Sequence, residues 1–87
     1  MKLKIDDNYQ IVSDSMQYIL QEVKVTKEGE NIGTEYIDNI GYYGKIVQAL
    51  KGYKELKIRK SDVTTIDELM ALICKLDKKI EDLLKNN

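Results

Sequence analysis

Among the residue types that usually carry chemistry, histidine is missing from this chain and cysteine occurs once, at Cys74. The commonest general base and the commonest zinc ligands are therefore unavailable. Oxygen ligands remain, and Asp6, Asp7 and Asn8 stand side by side. They lack the spaced ligands and the closing bidentate Glu of a calcium loop, so a tight turn is the expected reading. Ser13, Ser15 and Ser61 would each need an activating base, and none lies in a nucleophile motif such as G-x-S-x-G. Neither Gly29 with Gly33 nor Gly41 with Gly44 leads into the Lys-Ser/Thr pair of a phosphate loop. The expectation is a chain with no catalytic residues, no metal site and no cofactor, and hence not an enzyme.

Binding chemistry is better supplied. The formal charge is −1, but residues 1–43 carry four Lys/Arg against eight Asp/Glu, and residues 44–87 carry ten against seven. The excess of positive charge is concentrated in the segment 45–60. Lys51, Lys54, Lys57, Arg59 and Lys60 are candidates for phosphate contact, with Tyr42, Tyr43 and Tyr53 near enough in sequence to stack on bases. Lys45, Lys51 and Lys54 fall at scattered angles around a helix and Lys57, Arg59 and Lys60 come where it ends, a pattern that more often marks a solvated face than a nucleic-acid contact. Tyr36, Tyr42 and Tyr43 are candidates for a protein interface, because tyrosine is enriched at the energetic centres of such surfaces. An open sheet edge near Lys24 to Thr34 would add a strand-pairing route.

The elements that would position these groups follow from periodicity. Leu3 and Ile5 alternate with Lys2 and Lys4, then Asp6 to Asn8 interrupts, then Tyr9 and Ile11 resume. Ser13, Asp14 and Ser15 make a second turn. Met16 to Val25 reads as a longer strand with Met16, Tyr18 and Leu20 on one face. Ile19, Val23 and Val25 fall in the opposite phase, which calls for a bulge near Gln21 or a strand covered on both sides. Lys27 to Gly33 is the most turn-like stretch and is expected to be a hairpin loop. Thr34 to Tyr42 follows as a strand on which Tyr36, Asp38, Ile40 and Tyr42 share a phase. Gly44 to Lys57 has helical spacing, with Ile46, Val47, Leu50 and Tyr53 apolar.

The clearest element is the last. From Thr65 to Lys85, Ile66, Leu69, Ile73, Leu76, Ile80 and Leu83 recur at spacings of three and four, with Ile at every a position and Leu at every d. Thr65 and Glu68 match the S/T-x-x-E capping box, Asp67 and Glu68 suit the helix N-terminus, and Glu81 with Lys85 is a favourable i,i+4 pair. Met70, Leu72 and Leu84 widen the stripe. It reads either as core packed on the sheet or as the seam of a homodimer. The order of elements gives the fold class: α+β, an antiparallel sheet of three to four strands followed by two helices packed on one face, the C-terminal one long and amphipathic.

Eighty-seven residues make a single domain, 1–87. A lone cysteine cannot form an internal disulfide, and Met1 is not followed by a signal-like segment, so the reading is intracellular and cytoplasmic. No apolar run reaches the ~20 residues a membrane span needs.

Four segments carry a resemblance: YQIVSDSMQYIL (Tyr9 to Leu20), NIGYYG (Asn39 to Gly44), ALKGY (Ala49 to Tyr53) and SDVTTIDEL (Ser61 to Leu69). Together they resemble small proteins encoded by phages and prophages of low-GC Gram-positive bacteria. That resemblance implies context more than chemistry, since short phage proteins without enzymatic residues often bind a host protein, inhibitors of CRISPR effectors among them. The expected function is thus a non-enzymatic module that binds a host defence or regulatory protein, with a homodimer as one working form. The alternative is a nucleic-acid accessory protein using the basic segment.

Overall fold

The computed structural model describes residues 1–27, 29 and 32–85. The element order is β1 (Lys2–Lys4), β2 (Tyr9–Ser13), β3 (Tyr18–Val25), β4 (Glu35–Tyr43), α1 (Ile46–Arg59) and α2 (Ile66–Lys85). The strands form one antiparallel sheet in the order β1-β2-β3-β4. This is the expected α+β fold, with four strands and then two helices. The chain divides into two compact units, Met1–Ala49 and Leu50–Asn87, with the boundary inside α1.

Two turns of the sheet use the same device. Between β1 and β2, Asp6 Oδ1 accepts hydrogen bonds from the backbone N–H of Asn8 (2.7 Å) and Tyr9 (2.9 Å). Between β2 and β3, Asp14 Oδ1 accepts them from Met16 (2.7 Å) and Gln17 (2.9 Å). Such Asx turns let a side chain imitate the backbone acceptor of a turn. The bond from Met16, reinforced by the one from Gln17, holds the Asp14 carboxyl below the usual carboxylate range. Both N–H groups are thus committed to Asp14, while the Gln17 carbonyl accepts from the Asp14 N–H at 3.1 Å, so the turn extends to Gln17 and β3 begins at Tyr18 and not at Met16. Met16 is exposed.

Between β3 and β4, Thr26 donates its N–H to the Thr34 carbonyl and Gly33 donates its own to Thr26 (2.9 Å each). Gly29 and Gly33 take φ of 88° and 89°, the left-handed region that glycine enters without strain. Glu28, Glu30 and Asn31 of the expected hairpin loop lie outside the described residues.

The register fixes which side chains share a face. Leu3, Ile11, Leu20 and Gly41 form one row across the sheet, and Tyr9 lies on the same face. Tyr9, Ile11 and Leu20 are buried, so this is the core face of the unit. The expected bulge is present as a register shift between Leu20 and Gln21. Leu20 faces Gly41 but Gln21 faces Asn39, so the extra residue is Ile40 on β4, and β3 alternates without a break. The bulge therefore corrects the reading of β4: Tyr36 and Asp38 stay on the core face, while Tyr42 turns to the other.

In the second unit, Thr65 Oγ1 accepts from the Glu68 N–H at 3.1 Å and Glu68 Oε2 accepts from the Thr64 N–H at 3.1 Å. The capping pair is thus formed, with the Glu reaching one residue further back than a standard box. Glu81 and Lys85 pair at 3.0 Å as expected. On α1 the buried residues are Ala49, Leu50 and Tyr53, whereas Val47 is exposed. At 100° per residue Val47 lies about a third of a turn from that stripe. Ser61 ends the helix region by donating its hydroxyl to the Ile58 carbonyl at 2.6 Å.

At Gly41 the Tyr43 ring occupies the space a side chain would need. A Cβ there would lie 2.6 Å from Tyr43 Oη and 2.8 Å from its Cε2. Gly41→Ala is expected to displace the half-buried Tyr43 ring and destabilise the protein by about 1 kcal/mol, the low end of the cost of overpacking. Urea unfolding of the single and double variants with Tyr43→Ala should show that most of this loss disappears once the ring is gone.

Candidate protein-binding surface

The face of the sheet opposite the core collects residues that alternation would usually make polar. Row by row it carries Lys2, Val12, Ile19 and Tyr42, then Lys4, Gln10, Gln21 and Asn39, then Val23 with Ile37, then Val25 with Glu35. Six of these side chains are large and apolar or aromatic, and Val25, Ile37 and Tyr42 are exposed. Ile40, at the bulge between them, is exposed as well.

Across the middle of this open face runs a chain of hydrogen bonds. Gln10 Nε2 donates to Gln21 Oε1 at 2.8 Å, Gln21 Nε2 donates to Asn39 Oδ1 at 2.8 Å, and Asn39 Nδ2 donates to Tyr42 Oη at 3.3 Å. Gln10 is buried, and an unpaired amide there would be costly, which is why the strand needs Gln21 opposite it. The chain ends at the exposed phenol, which keeps its own O–H as a donor.

The three candidate tyrosines do not form one cluster. Tyr42, at 58% exposure, lies on the open face, while Tyr36, at 49%, lies on the core face beside Lys24. Tyr43 pairs with Tyr18 on the core face and is half-buried over Gly41. Lys24 bonds Asp38 at 3.0 Å on that same face, and this hydrogen bond raises the lysine above its ordinary value. The open edge is also not where it was expected. β3 is an inner strand, so the segment after Lys24 offers no free ladder until β4, and the edges are β1 and β4. The bulge, Glu35 and Asp38 all act against strand addition along β4. The side chains of the face, and not its edge, are the better binding feature.

The basic segment is dispersed. Lys54 pairs with Asp77 at 2.7 Å, Arg59 Nε donates to the Glu55 carbonyl at 3.4 Å, and Lys57 and Lys60 also take part in interactions within the chain. Lys51 is exposed. Around α1, Lys51, Lys54, Lys57 and Arg59 point in several directions and Lys60 follows the helix, so these residues assemble no single row of cations for a phosphate backbone. On α2, Leu76 is buried, Leu69, Ile73, Ile80 and Leu83 are half-buried, and Ile66 is exposed, so the six-residue seam is unevenly covered. Cys74 is a free, exposed thiol. Among the described residues no group of three or more His, Cys, Asp or Glu could hold a metal ion, and no helix is long and apolar enough to cross a membrane. The open face was only partly foreseeable: the opposite phase of Ile19, Val23 and Val25 signalled it on β3, but nothing in β4 marked the bulge that brings Tyr42 to them.

Residues 3–86 match the family described as "Domain of unknown function (DUF5405)". The chain belongs to this family. It is 35% identical over 85 residues to an "Uncharacterized 10.4 kDa protein in GpA 5'region" of Escherichia phage 186, covering 98% of this chain and 93% of that protein. It is 29% identical over 82 residues to an "Uncharacterized 10.2 kDa protein in GpA 5'region" of Escherichia phage P2, covering 94% and 90%. No solved structure matches. The relatives uphold the phage context of this DUF5405 chain. They come from Escherichia phages, which does not support the Gram-positive origin that the resemblance pointed to.

The amide chain yields a direct test. Gln21→Ala should destabilise the protein by about 1–3 kcal/mol by leaving Gln10 without its acceptor. Asn39→Ala, at the exposed end, should cost under about 1 kcal/mol because water replaces the partner. Urea unfolding curves for the two variants would separate them, and equal losses would refute the buried role of Gln10.

Proposed function

We propose that this DUF5405 protein is a non-enzymatic phage module that acts in the host cytoplasm by binding a host protein, a defence effector such as a CRISPR effector or a regulatory protein. The observation that carries this reading is the open sheet face, where Val25, Ile37 and Tyr42 lie exposed around a hydrogen-bonded amide chain. Exposed apolar side chains gathered on one sheet face, here on either side of a polar row, suit a surface that is covered in use. Aromatic anchors beside polar groups with fixed geometry are the usual centre of such interfaces. The absence of histidine from the sequence and the lack of a nucleophile motif support a binding role over a catalytic one.

The test is capture of the tagged full-length protein from Escherichia lysate, split into nuclease-treated and untreated halves, with Ile37→Lys beside the wild type. Ile37 is exposed, so its substitution should leave the melting curve unchanged. One host protein retained after nuclease by the wild type, and lost with Ile37→Lys, is the expected result. Retention that ends with nuclease would move the function to the basic segment, and no specific retention would remove the proposal.

A further inference from the structure

The register sorts the charges of the sheet by face. Glu22 and Asp38 lie on the core face, and Asp6, Asp7 and Asp14 stand in the turns between strands. The open face therefore carries little of the acidic excess of residues 1–43. Its charged residues are Lys2 and Lys4 on β1, and Glu35 at the far end of β4. Lys4 meets Asp7 at 3.6 Å, an exposed contact that contributes little, and Lys2 is exposed. The amide chain across this face also has a direction. Gln10 donates to Gln21, Gln21 to Asn39 and Asn39 to the Tyr42 phenol oxygen, which leaves the Tyr42 O–H as the donor still to be used. Lys2 and Tyr42 are the two ends of one row, with the half-buried Val12 and Ile19 between them. Three interstrand spacings put those ends about 14 Å apart at the backbone. The row thus presents a donor at each end and an aliphatic centre, and Lys4 adds a second ammonium in the row beside it.

We infer that the segment of the host partner seated on this face is acidic and amphipathic. Its carboxylates meet Lys2 and Lys4, its apolar side chains cover Val12 and Ile19, and one of its carbonyl or carboxylate oxygens accepts from Tyr42. This rests on the open face being a protein-binding surface, and adds the chemistry of what binds there. Charge complementarity selects the sign: a basic segment would set cations against Lys2 and Lys4 and bring no acceptor to the Tyr42 O–H. A phosphate backbone would satisfy the two lysines but would offer nothing apolar to Val12, Ile19, Val23 and Ile37, which share the face. The lysines stand at the rim of the sheet, on its first strand, where charges steer and select a partner, while the aliphatic centre supplies the buried area.

Zero-length crosslinking tests it, because a carbodiimide joins a lysine amine only to a carboxylate in direct contact. The tagged full-length protein is incubated in nuclease-treated Escherichia lysate, captured, washed and treated with the carbodiimide. The expected product is an amide bond between Lys2 or Lys4 and an Asp or Glu of the host protein that Ile37→Lys fails to retain. Lys2→Arg/Lys4→Arg should retain that protein and lose the crosslink, since a guanidinium keeps the charge but does not couple. Lys2→Glu/Lys4→Glu should cut retention at least about tenfold through like-charge repulsion. Both positions are exposed, so this variant should keep the wild-type melting curve. Equal retention of the same protein by the wild type and Lys2→Glu/Lys4→Glu would overturn the inference and leave the protein-binding reading standing. A wild-type complex with no crosslink at either lysine would do the same. No host protein retained at all would remove that reading, and the acidic partner with it.

Discussion

The hydrogen-bond chain from Gln10 through Gln21 and Asn39 to Tyr42 ties three strands together on the face away from the core, and its buried end is the constraint that the rest of that face is built around. A buried glutamine cannot be left unpaired at the centre of a sheet, so Gln10 requires Gln21 directly opposite. Gln21 in turn donates to Asn39 at the exposed end of the chain. That second pairing is reached only because β4 carries one more residue than β3 at this point, which places Asn39 and not Ile40 opposite Gln21. The bulge and the amide chain therefore support each other.

The same bulge determines what the open face presents. Below it, the outward positions of β4 are Asn39, Ile37 and Glu35; above it, the outward residue is Tyr42. Regular alternation through Ile40 would have placed Tyr36 and Tyr42 together and kept the tyrosine hydroxyl away from Asn39. Instead the face combines valine and isoleucine side chains from β2, β3 and β4 with one aromatic ring whose hydroxyl is held by a side-chain amide. A binding surface gains when its polar groups are already oriented, because less rotamer freedom is lost on association.

Much of the fold was legible because its signals were local. Asp6 and Asp14 mark their turns by type, Thr65 and Glu68 mark a helix start, and period two gave way to period 3.6 where the strands end and the helices begin. The boundaries that shifted did so for reasons a periodicity cannot register. Met16 has a strand-like neighbourhood, yet its N–H belongs to Asp14. Val47 has helical spacing, yet it points away from the buried stripe. The candidate surface was legible by halves: the residues of β3 announced an opposite phase, but the register shift on β4 arises from pairing between strands far apart in sequence. The uneven covering of α2 is likewise a tertiary property, invisible in a heptad pattern that Ile66 and Leu76 satisfy equally.

The central claim is that the open face, and not the core face, meets a partner. Tyr36 and Tyr42 give the most direct measurement, since they stand six residues apart on one strand, are exposed to a similar degree, and point to opposite sides of the sheet. A photo-crosslinking phenylalanine analogue placed at each position in turn, irradiated in nuclease-treated Escherichia lysate, reads which side is touched. An adduct to one host protein from position 42 and none from position 36 is the predicted result; an adduct from position 36 alone, or equal labelling from both, would contradict the account.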